Sequence, residues 1–78
     1  MNRNRNALPC REIVEHLKRS YARGTRVELV RMNDPYTQVP TGTKGTVTCV
    51  DDAGTIFCDW DNGARLGVVY KEDYIKKA

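Results

Sequence analysis

The 78-residue chain holds one histidine, one tryptophan and one phenylalanine, and it has no Cys-x-x-Cys pair. Each scarcity excludes something. A metal centre needs several Cys, His or carboxylate groups converging at fixed spacing, and this sequence supplies no such set, so no metal and no cofactor is expected. Nucleophilic catalysis needs an activated side chain beside a base, but His16 has as its nearest sequence candidates Ser20 and Cys10, which form no triad signature. The expectation is a protein that is not an enzyme. Long apolar runs are also lacking, which argues against a membrane span and for a cytoplasmic protein. Cys10, Cys49 and Cys58 are an odd number without metal spacing, so they read as reduced thiols acting as small buried hydrophobes rather than as a disulfide scaffold.

A chain this short supports one domain with a modest core, so a shallow groove or a shared interface is a more natural site than a deep cavity. Its net charge of +3 is unevenly placed. Residues 1–26 hold seven Lys/Arg against two Asp/Glu, while residues 27–78 hold six against eight. Contact with a polyanion is therefore expected at the amino-terminal arm, through Arg3, Arg5, Arg11, Lys18, Arg19 and Arg23, rather than on the mildly acidic remainder.

Residues 1–7 alternate Asn and Arg and read as a disordered basic tail. Residues 8–23 read as an amphipathic helix, because Cys10, Ile13, Val14, Leu17 and Tyr21 recur at three- and four-residue intervals and Pro9 falls in the first turn, where its missing N–H is tolerated. Gly24 ends it. Residues 24–78 then alternate β-branched or aromatic runs with turn formers. Asp51-Asp52-Ala53-Gly54 and Asp61-Asn62-Gly63 supply residues that accept a reversing backbone, and the runs at 25–32, 45–50, 55–60 and 64–69 suit a half-buried pleated surface. A short turn and a closing strand are expected over 70–75. Five antiparallel strands of this length, with one long Pro-containing loop after the first, predict a mainly β fold: a single SH3-like barrel with an N-terminal helix.

The hairpin at Asp51 to Thr55 has two readings. Symmetric pairing about Ala53-Gly54 would set Cys49 against Cys58; a three-residue loop with a left-handed Gly would offset them by one. Asp59-Trp60-Asp61-Asn62-Gly63 lacks the closing Glu of a calcium loop and reads as a turn. Gly42-Thr43-Lys44-Gly45-Thr46 has the wrong order and the wrong following element for a phosphate loop. Trp60, on a strand of so small a domain, is expected in the core.

Recognition is what remains. The aromatic residues Tyr36, Tyr70 and Tyr74 and the charged or polar residues Arg31, Asp34, Asp61, Asn62 and Arg65 are expected around the long loop and the neighbouring strands, with Arg31, Asp34, Tyr36, Asp61, Asn62, Arg65 and Tyr70 as the partner-binding set. A nucleotide ligand would use Arg31 or Arg65 for phosphate and Tyr36 or Tyr70 for the base. A domain of this size with an apolar helix stripe is also a candidate homo-oligomer.

The ordered blocks Gly24-Thr25-Arg26-Val27-Glu28-Leu29-Val30, Asp34-Pro35-Tyr36-Thr37, Gly42-Thr43-Lys44-Gly45-Thr46-Val47, Asp51-Asp52-Ala53-Gly54-Thr55-Ile56, Trp60-Asp61-Asn62-Gly63 and Leu66-Gly67 carry a resemblance over about residues 11 to 75. The chain resembles a family of small SH3-like domains of unknown function from bacteriophages, prophages and mobile elements of Gram-positive bacteria. It departs from that pattern at Tyr70-Lys71, where a Pro-Gly turn is usual, and at Cys58, where a β-branched residue is usual. The resemblance implies a phage or mobile-element setting in a bacterial host cell. The expected function is a non-enzymatic binding protein that blocks or sequesters a host factor, either a defence protein or a small signalling nucleotide; the competing expectation is a nucleic-acid-binding module that uses the basic arm.

Overall fold

The computed structural model describes residues 10–33 and 39–78. Helix α1 spans Arg11–Ser20, shorter than the 8–23 expected from its stripe. Residues 8 and 9, like the tail at 1–7, lie outside the described residues. At the other end the stripe misleads, because Tyr21 continues the apolar spacing but its backbone has already left the helix (φ −119°, ψ 57°) while its N–H still bonds Leu17 O at 2.8 Å. Periodicity reports which side chains face the core, and Tyr21 does so from the C-cap. Val14 and Leu17 are the buried residues of the helix.

Five strands follow: β1 Arg26–Arg31, β2 Lys44–Val50, β3 Ile56–Trp60, β4 Arg65–Val68 and β5 Tyr74–Lys77. They form one antiparallel sheet in the order β4-β3-β2-β1-β5, with no ladder between β4 and β5 to close it. The fold is thus mainly β with five antiparallel strands and one helix, and the sheet is open where the expected barrel would close.

Alternation explains the core. Val27 and Leu29 on β1, Val47 on β2, Ile56, Cys58 and Trp60 on β3 and Val68 on β4 point inward, and Leu17 and Val39 join them. The odd-numbered positions of β3 face outward instead. The strand periodicity of two thus separates a dry face from a wet one in each of these elements.

Both tight hairpins use the same device. Asp51 N bonds Thr55 O at 3.0 Å and Gly54 N bonds Asp51 O at 3.1 Å; Trp60 N bonds Ala64 O at 2.8 Å and Gly63 N bonds Trp60 O at 2.9 Å. Gly54 (φ 82°) and Gly63 (φ 96°) close three-residue loops in the left-handed region, which a side chain would disfavour. The first loop sets Val50 against Ile56 and Cys49 against Phe57, the one-residue offset, and a bulge before Cys49 restores Val47 to Cys58. Cys49 is therefore exposed and Cys58 buried, on opposite faces, and with Cys10 exposed at the helix N-cap only Cys58 is the small buried hydrophobe expected of all three. Burial, with a smaller contribution from the Asp59 charge, pushes the Cys58 thiol up to about 11, so it stays protonated at neutral pH.

Charges pin the periphery. Arg26 grips Asp61 through two parallel bonds, Nη1 to Oδ1 at 2.9 Å and Nη2 to Oδ2 at 2.6 Å, and Nη1 also donates to Thr46 Oγ1 at 2.9 Å. Lys18 Nζ reaches Asp52 at 2.8 Å and ties α1 to the β2–β3 turn. The hydrogen bond from Arg26, reinforced by its charge, holds the Asp61 carboxyl below the usual carboxylate range. A depressed folded-state pKa gives stability that is present above the unfolded value, about 3.9, and lost as pH falls through the lower folded value. Melting temperature measured from pH 6 down to pH 2 is expected to fall below about pH 4, less steeply in Asp61→Asn; superimposable wild-type and variant profiles would show that the pair contributes nothing.

Candidate functional site

The residues that combine chemistry with exposure gather where β4 hands over to β5. Glu72 N and Asp73 N both bond Val69 O, at 3.0 and 2.9 Å, forming a tight turn over 69–73. Lys71 sits at its third position with φ 69°, and no other non-glycine among the described residues has a positive φ. That position in a type II turn is normally glycine, and proline is usual before it; here Tyr70 and Lys71 hold the two places at a backbone cost on the order of 1 kcal/mol. Asp73 fixes the turn from both sides. Its Oδ1 accepts from Asn33 N at 2.7 Å and its Oδ2 from Val69 N at 2.9 Å, so one carboxylate joins the end of β4 to the residues after β1.

A groove of about 420 Å³ opens between this turn, α1 and β5. Leu17, Ile56 and Val68 line its apolar part, and Tyr21, Tyr70 and Tyr74 stand around it with Lys71 and Asp73. Tyr74 Oη donates to Lys71 O at 3.2 Å, which fixes one ring against the turn. Two further cations lie on the tyrosines: the Arg31 guanidinium carbon is 5.1 Å from the Tyr74 ring centre, and Lys77 Nζ is 5.5 Å from that of Tyr21. Cation–π contacts of this kind hold charge near an aromatic face without neutralising it. An open groove with an apolar bed, three phenols and one lining cation, with two more on the tyrosine rings beside it, can bind.

The expected partner-binding set is divided by the fold. Arg31 and Tyr70 belong to the groove, Arg31 through its contact with Tyr74. Asp61 is held by Arg26, and Asn62 Oδ1 accepts from Ala64 N at 3.0 Å inside the turn, so both have structural roles at the β3–β4 hairpin. Arg65 opens β4, with its Nε 3.7 Å from Asp59. Asp34 and Tyr36 lie outside the described residues. Of the arm, Arg3 and Arg5 lie outside them too; Arg11 pairs with Glu15 at 3.2 Å and Lys18 with Asp52, whereas Arg19 and Arg23 have no ion-pair partner among the described residues. A second hollow of about 500 Å³ lies among Arg11, Val14, Glu15, Lys18 and Asp52, and those two ion pairs neutralise it internally.

The matching family model, a domain of unknown function (DUF4314), spans residues 10–78. The chain belongs to the DUF4314 family. No curated protein and no solved structure matches it. The family match covers α1 and every strand, so groove, turn and sheet all lie within the DUF4314 domain. His16 of this DUF4314 chain lies 3.3 Å from Ser20 Oγ on the exposed face of α1, an i,i+4 contact. No group of three or more His, Cys, Asp or Glu that would hold a metal is found among the described residues, and no helix among them is long and apolar enough to cross a membrane.

Two parts of the groove carry no signal of their role in the sequence: Tyr21 simply continues the helix stripe, and Asp73 stands in no motif. Lys71 departs from the usual Pro-Gly, but a lysine does not by itself announce a left-handed backbone.

Proposed function

We propose that this DUF4314 chain is a non-enzymatic binding module, an SH3-like barrel from a phage or mobile element, that works in the host cytoplasm by occupying or sequestering a host factor, and that its working face is the tyrosine groove between α1 and the β4–β5 turn. The observation that carries the reading is the convergence of Tyr21, Tyr70 and Tyr74 around one open groove, from positions up to 53 residues apart in sequence. Aromatic residues give a binding surface large contact area at low conformational cost. The strand order, with β2 shared between the β1 and β3 ladders and β5 returning to β1, is consistent with an SH3-like path. The phage setting rests on the sequence resemblance alone.

The test uses affinity capture from host lysate, with Tyr70→Ala, Tyr74→Ala and, as a variant away from the groove, Arg65→Ala. Tyr70→Ala and Tyr74→Ala are expected to lose the captured factor while melting within a few degrees of wild type, because Tyr70 is only partly buried and Tyr74 is exposed. Loss with Arg65→Ala and retention with the two tyrosine variants would move the working face to the β3–β4 side and sink this reading. Nucleic-acid binding through the arm is the weaker alternative, since Arg11 and Lys18 are already neutralised by Glu15 and Asp52.

A further inference from the structure

The cations of the sheet sort into two groups. Arg26, Arg65 and Lys76 are paired with Asp61, Asp59 and Glu28. Arg31, Lys71 and Lys77, the three around the tyrosines, have no ion-pair partner among the described residues, and neither has Lys44 at the start of β2; Arg31 and Lys77 rest on ring faces instead. The carboxylate in the groove, Asp73, spends both oxygens on backbone N–H groups, so it is committed to the turn while keeping its charge. The groove is thus apolar and aromatic within; Lys71 and Asp73 are the charged residues that line it, and Arg31 and Lys77 stand beside it on the rings of Tyr74 and Tyr21. Its volume of about 420 Å³ falls in the lower part of the range of small-molecule sites and is large enough for one nucleotide.

The turn supplies the second observation. Glycine at position 71 would relieve the positive φ, yet a lysine is held there, on the groove, directly after Tyr70. Strained positions persist where the surroundings over-determine them, and they concentrate at ligand sites. A phenol and an ammonium on consecutive residues make an adjacent stacking surface and phosphate contact.

We infer that the groove binds a nucleoside phosphate, its base against Tyr70 and the neighbouring tyrosines and its phosphate met by Lys71 with Arg31 or Lys77. This rests on the groove being the working face, and it names the ligand. Stacking on aromatic rings accepts any base, and lysine and arginine near the rim meet phosphate as charge-assisted donors. An acidic peptide would satisfy the cations but would leave the flat tyrosine faces without a matching planar group.

The test is calorimetric titration of the full chain with AMP, adenosine and ribose 5-phosphate. AMP is expected to bind, with affinity falling as salt rises, and each half-molecule to bind at least tenfold more weakly. Lys71→Gly is the deciding variant. It relaxes the turn, so its melting temperature should equal or exceed that of wild type, while AMP affinity drops about tenfold or more; Tyr70→Leu should lose a similar factor with its apolar volume kept. Absence of AMP binding at millimolar concentration overturns the inference, as does AMP affinity unchanged in Lys71→Gly or equal binding of the three probes. If AMP fails while Tyr70→Ala still abolishes capture from lysate, the nucleotide is wrong and the groove stands; if capture survives Tyr70→Ala, the groove itself is wrong.

Discussion

Trp60→Ala is expected to unfold the domain, or nearly so. The indole is 3% exposed at the end of β3, packed in the same cluster as Val27, Leu29 and Val47, and its Nε1 donates to Leu66 O at 3.2 Å. Truncating a buried aromatic residue costs about 3–5 kcal/mol through lost transfer energy and the cavity left behind. A domain of 78 residues has a total stability of about 4–12 kcal/mol, so the loss removes a large part of it. Two other features add to the damage. Trp60 N and O close the β3–β4 hairpin with Ala64 O and Gly63 N, so movement at this residue loosens the turn, and Leu66 loses a partner for its carbonyl. Trp60→Phe keeps most of the apolar volume and forfeits the N–H, so it should cost about 1–2 kcal/mol. Urea denaturation followed by circular dichroism measures both. A Trp60→Ala protein within 1 kcal/mol of wild type would mean that the core is held elsewhere.

The parts of the structure legible in the sequence are those written in local chemistry. Asp51 to Gly54 and Asp61 to Gly63 announce their turns because an Asp or Asn side chain bonds its own backbone and a glycine follows in the left-handed region: Asp51 Oδ1 accepts from Ala53 N and Thr55 N, both at 2.9 Å, and Asn62 Oδ1 accepts from Ala64 N. The helix stripe includes the two buried residues Val14 and Leu17 but also Cys10, which is exposed at the N-cap, and it overruns the helix end, because a side chain can face the core from a residue that is no longer helical. What was illegible is long-range. Arg26 and Asp61 are 35 residues apart, Asn33 and Asp73 are 40 apart, and their bonds depend on how the sheet bends rather than on any neighbour in sequence. The groove was hidden for the same reason. Tyr21, Tyr70 and Tyr74 belong to a helix cap, a turn and an edge strand, and the topology alone brings them together; of the candidate set drawn around the long loop and its neighbouring strands, Tyr70 lines the groove and Arg31 stands beside it.

Gly45→Val is expected to damage the sheet severely. Valine favours strands and glycine weakens them by about 0.5–1 kcal/mol relative to alanine, so propensity alone predicts a gain. Packing reverses the sign. Gly45 sits opposite Trp60, and a Cβ built on it would lie 2.7 Å from Trp60 Cε3, 3.1 Å from Trp60 Cδ2 and 3.1 Å from Asp59 O. The indole cannot withdraw cheaply, because it is buried and tethered through Nε1, and the Asp59 oxygen belongs to the backbone of the paired strand. Overpacking of this kind costs about 1–3 kcal/mol, and valine, with two further methyl groups, should lie at or above the top of that range. The backbone at Gly45 is not left-handed, so strain from a positive φ plays no part and the whole penalty is assigned to the contact with the ring and the strand behind it. A double-mutant cycle isolates that contact: Gly45→Ala should cost clearly less in a Trp60→Phe background than in wild type, with a coupling of about 0.5 kcal/mol or more. If Gly45→Ala proves neutral or stabilising in the wild-type chain, or costs the same with phenylalanine at 60, the close approach of β2 to the indole is not what requires glycine at this position.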